Sequence, residues 1–118
     1  MKTLLLESLG VGPRMSRAVI HGNTVYTAGQ VADDISADVT EQTRQVISKL
    51  ETLLLEAGTD KTNILSATIW LSDINTFAEM NAVWDAWVPS EMPPARACVE
   101  AKLVAPGYKV EIALIAAK

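Results

Sequence analysis

Residues 64–104 read ILSATIWLSDINTFAEMNAVWDAWVPSEMPPARACVEAKLV, a pattern that predicts a strand, a helix and a second strand. Apolar residues alternate along Ile64–Leu71, with Leu65, Ala67, Ile69 and Leu71 predicted to face a helix, which is typical of a strand with one buried face. A helical stripe follows from about Asn75 to Val88 and ends at prolines, and alternation resumes along Ala95–Val104. A unit of this length favours two parallel strands joined by a right-handed crossover.

The residues before this unit predict a hairpin and a first helix. Gly22-Asn23 is a turn signal between two alternating runs, Ser16–His21 and Thr24–Val31. Asp38 is placed to cap the helix that follows, and Gly58 is placed to end it. Residues at helical spacing form the apolar stripe of this helix: Val39, Val46, Ile47, Leu50, Leu53, Leu54 and Ala57.

The C-terminal residues complete one α+β domain, which we expect to span residues 1–118. A last strand is predicted over Lys109–Ala116, after a four-residue connection. The element order is therefore β-β-α-β-α-β-β. This order predicts one mixed sheet with two helices packed on one face.

Composition narrows the possible functions. The chain has 118 residues, of which 49% are hydrophobic and 20% charged, and this balance excludes a disordered tail. The net charge is −4 and no run of Lys or Arg occurs, so we expect no nucleic-acid partner and no polybasic membrane surface. The apolar run at Leu4–Leu6 is too short for a signal peptide, and a cytoplasmic location is expected.

Metal and cofactor chemistry find little support in the sequence. One cysteine, Cys98, and one histidine, His21, cannot supply a zinc ligand set or an internal disulfide. Gly10-Val11-Gly12 lacks the third glycine and the flanking elements of a dinucleotide loop. We therefore expect neither a metal nor a cofactor.

The last two strands carry the charged candidates. The odd positions of Ala95–Val104 are apolar and are predicted to lie under a helix, so Arg96 and Glu111 are predicted to share the opposite face. A plain hairpin would set Lys102 opposite Glu111 and leave Arg96 roughly 20 Å away along the strands. A neighbouring subunit would then have to complete any site that uses both residues. The apolar side chains on that face, opposite the helices, predict a dimer or trimer interface.

Each candidate has a functional and a structural interpretation. Arg96 suits capture of a small carboxylate, or an ion pair between subunits. Glu111 suits acid–base work, or a cross-strand pair with Lys102. Asn81 lies within the apolar stripe of the second helix, where its amide either contacts a ligand or caps a neighbouring loop. Cys98 suits a nucleophile or a buried structural thiol, and the structural interpretation is favoured because no histidine is placed to activate it.

Four segments together resemble the RidA family, the reactive intermediate deaminases. They are Thr27-Ala28-Gly29-Gln30, the helix segment Phe77–Ala82, the run Pro94–Glu100 and Val110-Glu111-Ile112. The resemblance extends from about Arg17 to Ala117. Two positions depart from the family pattern, which has a serine where Ala28 stands and a tyrosine where Met15 stands.

The resemblance implies a chorismate-mutase-like fold, a homotrimer, and cofactor-independent hydrolysis of enamines and imines such as 2-aminoacrylate to 2-oxo acids and ammonia. By the same resemblance, Arg96 binds the substrate carboxylate and Glu111 positions the attacking water. Asn81, Cys98 and Gly29 line the cleft. The alternatives are binding of small carboxylates without turnover, or a protein-interaction role on the same scaffold. Endoribonuclease action is ascribed to parts of the family, but the acidic pI counts against it here.

Overall fold

A computed structural model describes residues 6–118 and confirms the α+β class: one mixed sheet with two helices. Of the apolar run at Leu4–Leu6, residues 4 and 5 lie outside the described part of the chain. The strands are β1 (Leu6–Leu9), β2 (Ala18–His21), β3 (Thr24–Thr27), β4 (Gln30–Val31), β5 (Ile64–Leu71), β6 (Ala95–Glu100) and β7 (Val110–Ala117). The helices are α1 (Val39–Glu56) and α2 (Phe77–Trp87).

Helix α1 forms as its sequence predicts. The side chain of Asp38 accepts a hydrogen bond of 2.9 Å from the backbone N–H of Glu41, which satisfies a free donor of the first turn. Gly58 follows the helix with a φ of +86°, the left-handed conformation in which a helix commonly ends. All seven residues of the predicted stripe are buried, and all except Leu53 belong to the hydrophobic core that the helix shares with the sheet.

The N-terminal hairpin is confirmed, but its second strand is divided. Strands β2 and β3 pair antiparallel around Gly22-Asn23, and β1 adds to the outer edge of β2. Both β3 and β4 pair with β7. Tyr26 pairs with Ile115 and Gln30 pairs with Ile112, so an advance of four residues on one side lies opposite an advance of three residues on β7. The extra residue makes a bulge at the segment that contains Gly29.

Strand order contradicts the predicted hairpin between the last two strands. The sheet runs β1-β2-β3-β7-β5-β6, so β5 lies between β6 and β7. Strand β6 pairs parallel with β5, as the strand–helix–strand pattern predicts, and forms one edge of the sheet. It ends at Glu100, and Lys102 therefore lies beyond the strand and does not pair with Glu111.

The predicted faces of β6 were also wrong. Arg96 and Cys98 stand beside Ala67 and Ile69 of β5, which are 3% and 0% exposed beneath the helices. The even positions of β6 consequently face the helix layer, and the odd ones face away. The helices cover little of this edge strand, so the alternation of apolar residues in its sequence does not indicate which of its faces is buried.

A second bulge accounts for the exposure of Leu65, which we predicted to face the helices. Ile64 pairs with Ala116 and Ser66 with Ile115, so the register shifts by one residue between them. As a result Ile64 is 6% exposed and Leu65 is 52% exposed. Beyond the bulge the predicted core residues Ala67, Ile69 and Leu71 are buried.

The sheet face opposite the helices, here called the open face, carries apolar side chains. Tyr26 and Ile115 are cross-strand partners on it, and Val99 lies at its β6 edge. These side chains are 36–49% exposed. Within residues 6–118, no helix has the length and apolar character needed to cross a membrane.

Candidate functional site

Arg96 lies at the β6 edge of the sheet, against helix α2. Its Nη1 donates a hydrogen bond of 2.7 Å to Oδ1 of Asn81. The guanidinium carbon lies 5.7 Å from the ring centroids of both Phe77 and Trp84, within the range of cation–π attraction. The helix spacing explains the arrangement, because positions 77, 81 and 84 lie on one face of α2. The Arg96 side chain is thus oriented by an amide and two aromatic rings.

No carboxylate neutralises this guanidinium within the described residues. The two ion pairs found in residues 6–118 are Arg44–Glu41 and Lys49–Asp33, and neither involves Arg96. Arg96 is exposed, and its remaining N–H groups are available to a planar anion. Asn81 is half-buried and serves as a hydrogen-bond acceptor for Arg96, so its NH₂ group remains available as a donor.

Cys98 follows Arg96 on the same face of β6. It is half-buried and packs against the core. Burial raises the pKa of the Cys98 thiol, and the nearby Arg96 charge offsets part of that rise. The thiol is therefore protonated at neutral pH and has the character of a lining residue.

Glu111 occupies the open face, near the start of β7. Its flanking partners are Val31 on β4 and Trp70 on β5. The carboxyl group is half-buried, and burial raises its pKa above that of an ordinary glutamate. A carboxyl group with a raised pKa can exchange protons closer to neutral pH.

Gly29 lies directly beside this carboxyl group. A Cβ atom at position 29 would overlap Oε2 of Glu111 and would lie 2.9 Å from its Cδ. The bulge between β3 and β4 brings the chain this close, and the backbone N–H of Ala28 is tied to the carbonyl of Arg17 at 2.8 Å. Met15, the other departure from the family pattern, is 57% exposed on the preceding loop.

Two half-sites result, and they lie on opposite faces of the sheet. Arg96, Asn81 and Cys98 lie on the helix side, whereas Glu111 and Gly29 lie on the open face. We predicted one shared face for Arg96 and Glu111, and that prediction is wrong because Arg96 pairs with the buried Ala67, whereas Glu111 pairs with Trp70 on the open face. Arg96 pairs with Ala67 and Glu111 with Trp70, so their Cα atoms are roughly 14 Å apart.

Sequence reasoning missed one part of the Arg96 half-site. We assigned Trp84 to the core, and it is buried, but its ring also flanks Arg96. The signal was present in the spacing of Phe77, Asn81 and Trp84. The sequence does not show that Arg96, on strand β6, would contact that face of α2.

Two surface grooves lie away from these residues. The larger, of about 780 Å³, is lined by residues 100–109 together with Ser72. The smaller, of about 530 Å³, lies beside Leu65 and Met92. Neither groove includes Arg96 or Glu111. Among residues 6–118 there is no cluster of three His, Cys, Asp or Glu side chains that could hold a metal ion.

Comparisons with known proteins by sequence and by structure agree on one family. Residues 8–118 match the family described as Endoribonuclease L-PSP. A RutC family protein of Haemophilus influenzae is 46% identical over 104 residues, which cover 87% of this chain and 90% of that protein. The crystal structure of a YjgF family member from Neisseria meningitidis is 42% identical, with a TM-score of 0.93, and covers 96% of this chain and 94% of its own. A Rid family protein of Yersinia pestis, described as of unknown function, is 31% identical over 92% of this chain and 90% of its own, with a TM-score of 0.85.

Proposed function

Because this chain belongs to the Endoribonuclease L-PSP family, which includes proteins named YjgF, Rid and RutC, we propose that it is a cofactor-independent enamine and imine deaminase. The proposed substrates are small and carry a carboxylate, as 2-aminoacrylate does. The products are a 2-oxo acid and ammonia. The observation that carries the proposal is Arg96, an oriented guanidinium without an acidic partner among the described residues.

Arg96 is proposed to hold the substrate carboxylate. A guanidinium offers two parallel N–H groups to a carboxylate, and its orientation by Asn81 lowers the entropy lost on binding. The rings of Phe77 and Trp84 exclude water from one side and strengthen the charge interaction. This half-site therefore supports selection of acids over neutral imines.

Glu111 is proposed to serve the chemical step. Protonation of the enamine carbon gives an iminium ion, and water adds to the C=N carbon as Glu111 accepts one of its protons. Glu111 then returns its proton to the carbinolamine nitrogen, ammonia leaves, and the hydroxyl group releases its proton to solvent, which gives the C=O of the 2-oxo acid. A carboxyl group with a raised pKa suits both directions of proton transfer, and imines hydrolyse readily once oriented.

A homotrimer is proposed to bring the two half-sites together. A separation of roughly 14 Å across the sheet exceeds the length of a small imine acid, so one chain does not suffice. The apolar open face supports an interface through which the Arg96 half-site of one subunit meets the Glu111 half-site of its neighbour. Endoribonuclease activity, which the family's name suggests, is disfavoured by the net charge of −4.

A coupled assay tests the activity. An amino-acid oxidase or dehydratase generates the imine, and semicarbazide traps what has not been hydrolysed. We expect less trapped imine with the wild type than with buffer, and no such reduction with Arg96→Ala. Arg44→Ala is the matched control, since Arg44 is exposed and pairs with the exposed Glu41 in its own helix.

The control should behave as the wild type. If no amino acid gives a difference between wild type and buffer, deamination is excluded. In that case calorimetry with 2-oxo acids distinguishes a carboxylate-binding module, which would bind them through Arg96, from a protein-interaction module, which would not.

A further inference from the structure

Gln42 of helix α1 has no solvent exposure and uses its side-chain amide to join two loops. Its Nε2 donates to the carbonyls of Gly107 at 2.8 Å, Ala37 at 3.1 Å and Ile35 at 3.4 Å. Its Oε1 accepts from the backbone N–H of Lys109 at 2.9 Å. Burying an amide is costly unless all its groups find partners, and here each of them does. None of the partners lies in the helix that carries Gln42.

The bonds of Gln42 converge on the residue that precedes β7. Lys109 is held through its N–H by Gln42 and through its carbonyl by the N–H of Ser72 at 3.1 Å. The ammonium of Lys109 donates to the carbonyl of Ala37 at 2.9 Å, which adds a second link to the same loop. Residues 101–109, which connect β6 to β7, contain no strand or helix. Lys109 is therefore located by hydrogen bonds from other segments.

The register with which β7 enters the sheet decides which face carries Glu111. Glu111 is the second residue of that strand, and successive side chains of a strand face opposite sides of the sheet. A slip of one residue would move Glu111 from the open face to the helix side. We propose that Gln42 is a positioning residue that fixes the start of β7 and thereby holds Glu111 on the open face beside Gly29.

Thr43, the next residue of α1, is a buried polar residue whose side chain does not join the loops. Thr43 also has no exposure, but its hydroxyl donates to the carbonyl of Val39, four residues earlier in the same helix. That bond adds nothing to the loops. The test variant is Gln42→Met, which keeps the approximate side-chain volume and removes the amide. Thr43→Val is its matched control, because it removes a buried hydrogen bond from α1 without affecting Lys109.

The first readout is the ionisation of Glu111, followed by its carboxyl-carbon NMR signal during a pH titration. Its flanking residues Val31 and Trp70 carry no charge, and the Lys109 ammonium is bonded to a loop carbonyl, so burial alone raises the pKa of Glu111. We expect Gln42→Met to bring that pKa toward the ordinary glutamate value, and Thr43→Val to leave it unchanged. An unchanged Glu111 titration in Gln42→Met would overturn the proposal. If Gln42→Met does not fold, Gln42→Asn, whose amide is one methylene too short to reach both loops, replaces it with the same expectation.

The second readout rests on the proposed function. Displacement of a catalytic group by about 1 Å can lower turnover by about a hundredfold, so we expect kcat for imine hydrolysis to fall by about ten- to a hundredfold in Gln42→Met. The Kd of a 2-oxo acid, set by Arg96, should change by less than about twofold. Equal losses in Gln42→Met and Thr43→Val would contradict a positioning role. If the wild type itself shows no turnover, the proposed function fails, and the Glu111 titration still decides the role of Gln42.

Discussion

The carboxyl group of Glu111 occupies the space that a side chain at position 29 would need. A Cβ on Gly29 would overlap Oε2 of Glu111 and would lie 3.1 Å from its Cγ. The φ angle of Gly29 is not positive, so the backbone conformation itself does not require glycine. The need for glycine here arises from the close approach of the glutamate.

Gly29→Ala should therefore displace Glu111 without straining the backbone. We expect a loss of less than about 1 kcal/mol in the free energy of unfolding, because the end of the half-buried Glu111 side chain can shift, and a fall in kcat of at least about tenfold. Urea unfolding and the coupled imine assay measure the two effects. Gly12→Ala is the control, because a Cβ there meets only the carbonyl of Met15 at 3.4 Å. A Gly29→Ala enzyme with normal kcat would show that Glu111 can move without consequence.

The Arg96–Asn81 hydrogen bond predicts an unusual order of effects for substitutions at position 81. Asn81→Asp keeps the acceptor but supplies a negative charge, so the protein itself would neutralise Arg96 and compete with the ligand carboxylate. We expect the Kd of a 2-oxo acid to rise by at least about tenfold in Asn81→Asp, and by less in Asn81→Ala. Isothermal calorimetry measures both constants. The reverse order would mean that Asn81 contributes chiefly as a donor to the ligand.

Burial of Glu111 predicts how stability depends on pH. Since the folded state raises the pKa of Glu111, the native protein binds more protons than the unfolded chain between the two pKa values, and stability falls as pH rises through that window. Glu111→Gln removes this penalty. We expect it to melt at a higher temperature than the wild type at pH 7, with the difference disappearing below the ordinary glutamate pKa of 4.5. A constant difference across this range would assign the effect to packing.

The bulge in β5 predicts different losses of stability at two apolar positions, although the alternation of the sequence predicts that both are buried. Ile69 has no exposure, so Ile69→Ala should lower the free energy of unfolding by about 2–5 kcal/mol. Leu65 is 52% exposed, and Leu65→Ala should cost less than about 1 kcal/mol. Chemical denaturation of both variants checks the difference. Similar costs would place Leu65 in the core.

Subunit mixing tests whether the two half-sites meet between copies. Arg96→Ala and Glu111→Ala should each be inactive alone. If they are unfolded and refolded together, random trimers would contain about a quarter of sites with Arg96 from one subunit and Glu111 from another, and activity should return in proportion. A mixture of separately folded variants is the control. Co-refolded trimers without activity would mean that one chain supplies both residues.

Much of this protein could be predicted from short-range patterns. The stripe and caps of α1, the Gly22-Asn23 hairpin and the parallel pair around α2 are confirmed, because each depends on the 3.6-residue or two-residue period of neighbouring side chains. The identities of Arg96, Asn81 and Glu111 as candidates also came from residue type and position. Their roles stay predictions, and the structure adds that Asn81 orients Arg96.

The tertiary structure alone decided which strands are neighbours and which way their side chains face. Strand β5 lies between β6 and β7, which sets Arg96 and Glu111 two strands apart, and the pairing registers place their side chains on opposite faces of the sheet. Two bulges shift the alternation by one residue, exposing Leu65 and bringing Gly29 against Glu111. Pairing partners and bulges depend on contacts between residues far apart in the chain, whereas a local period reports only which side chains of one element lie together.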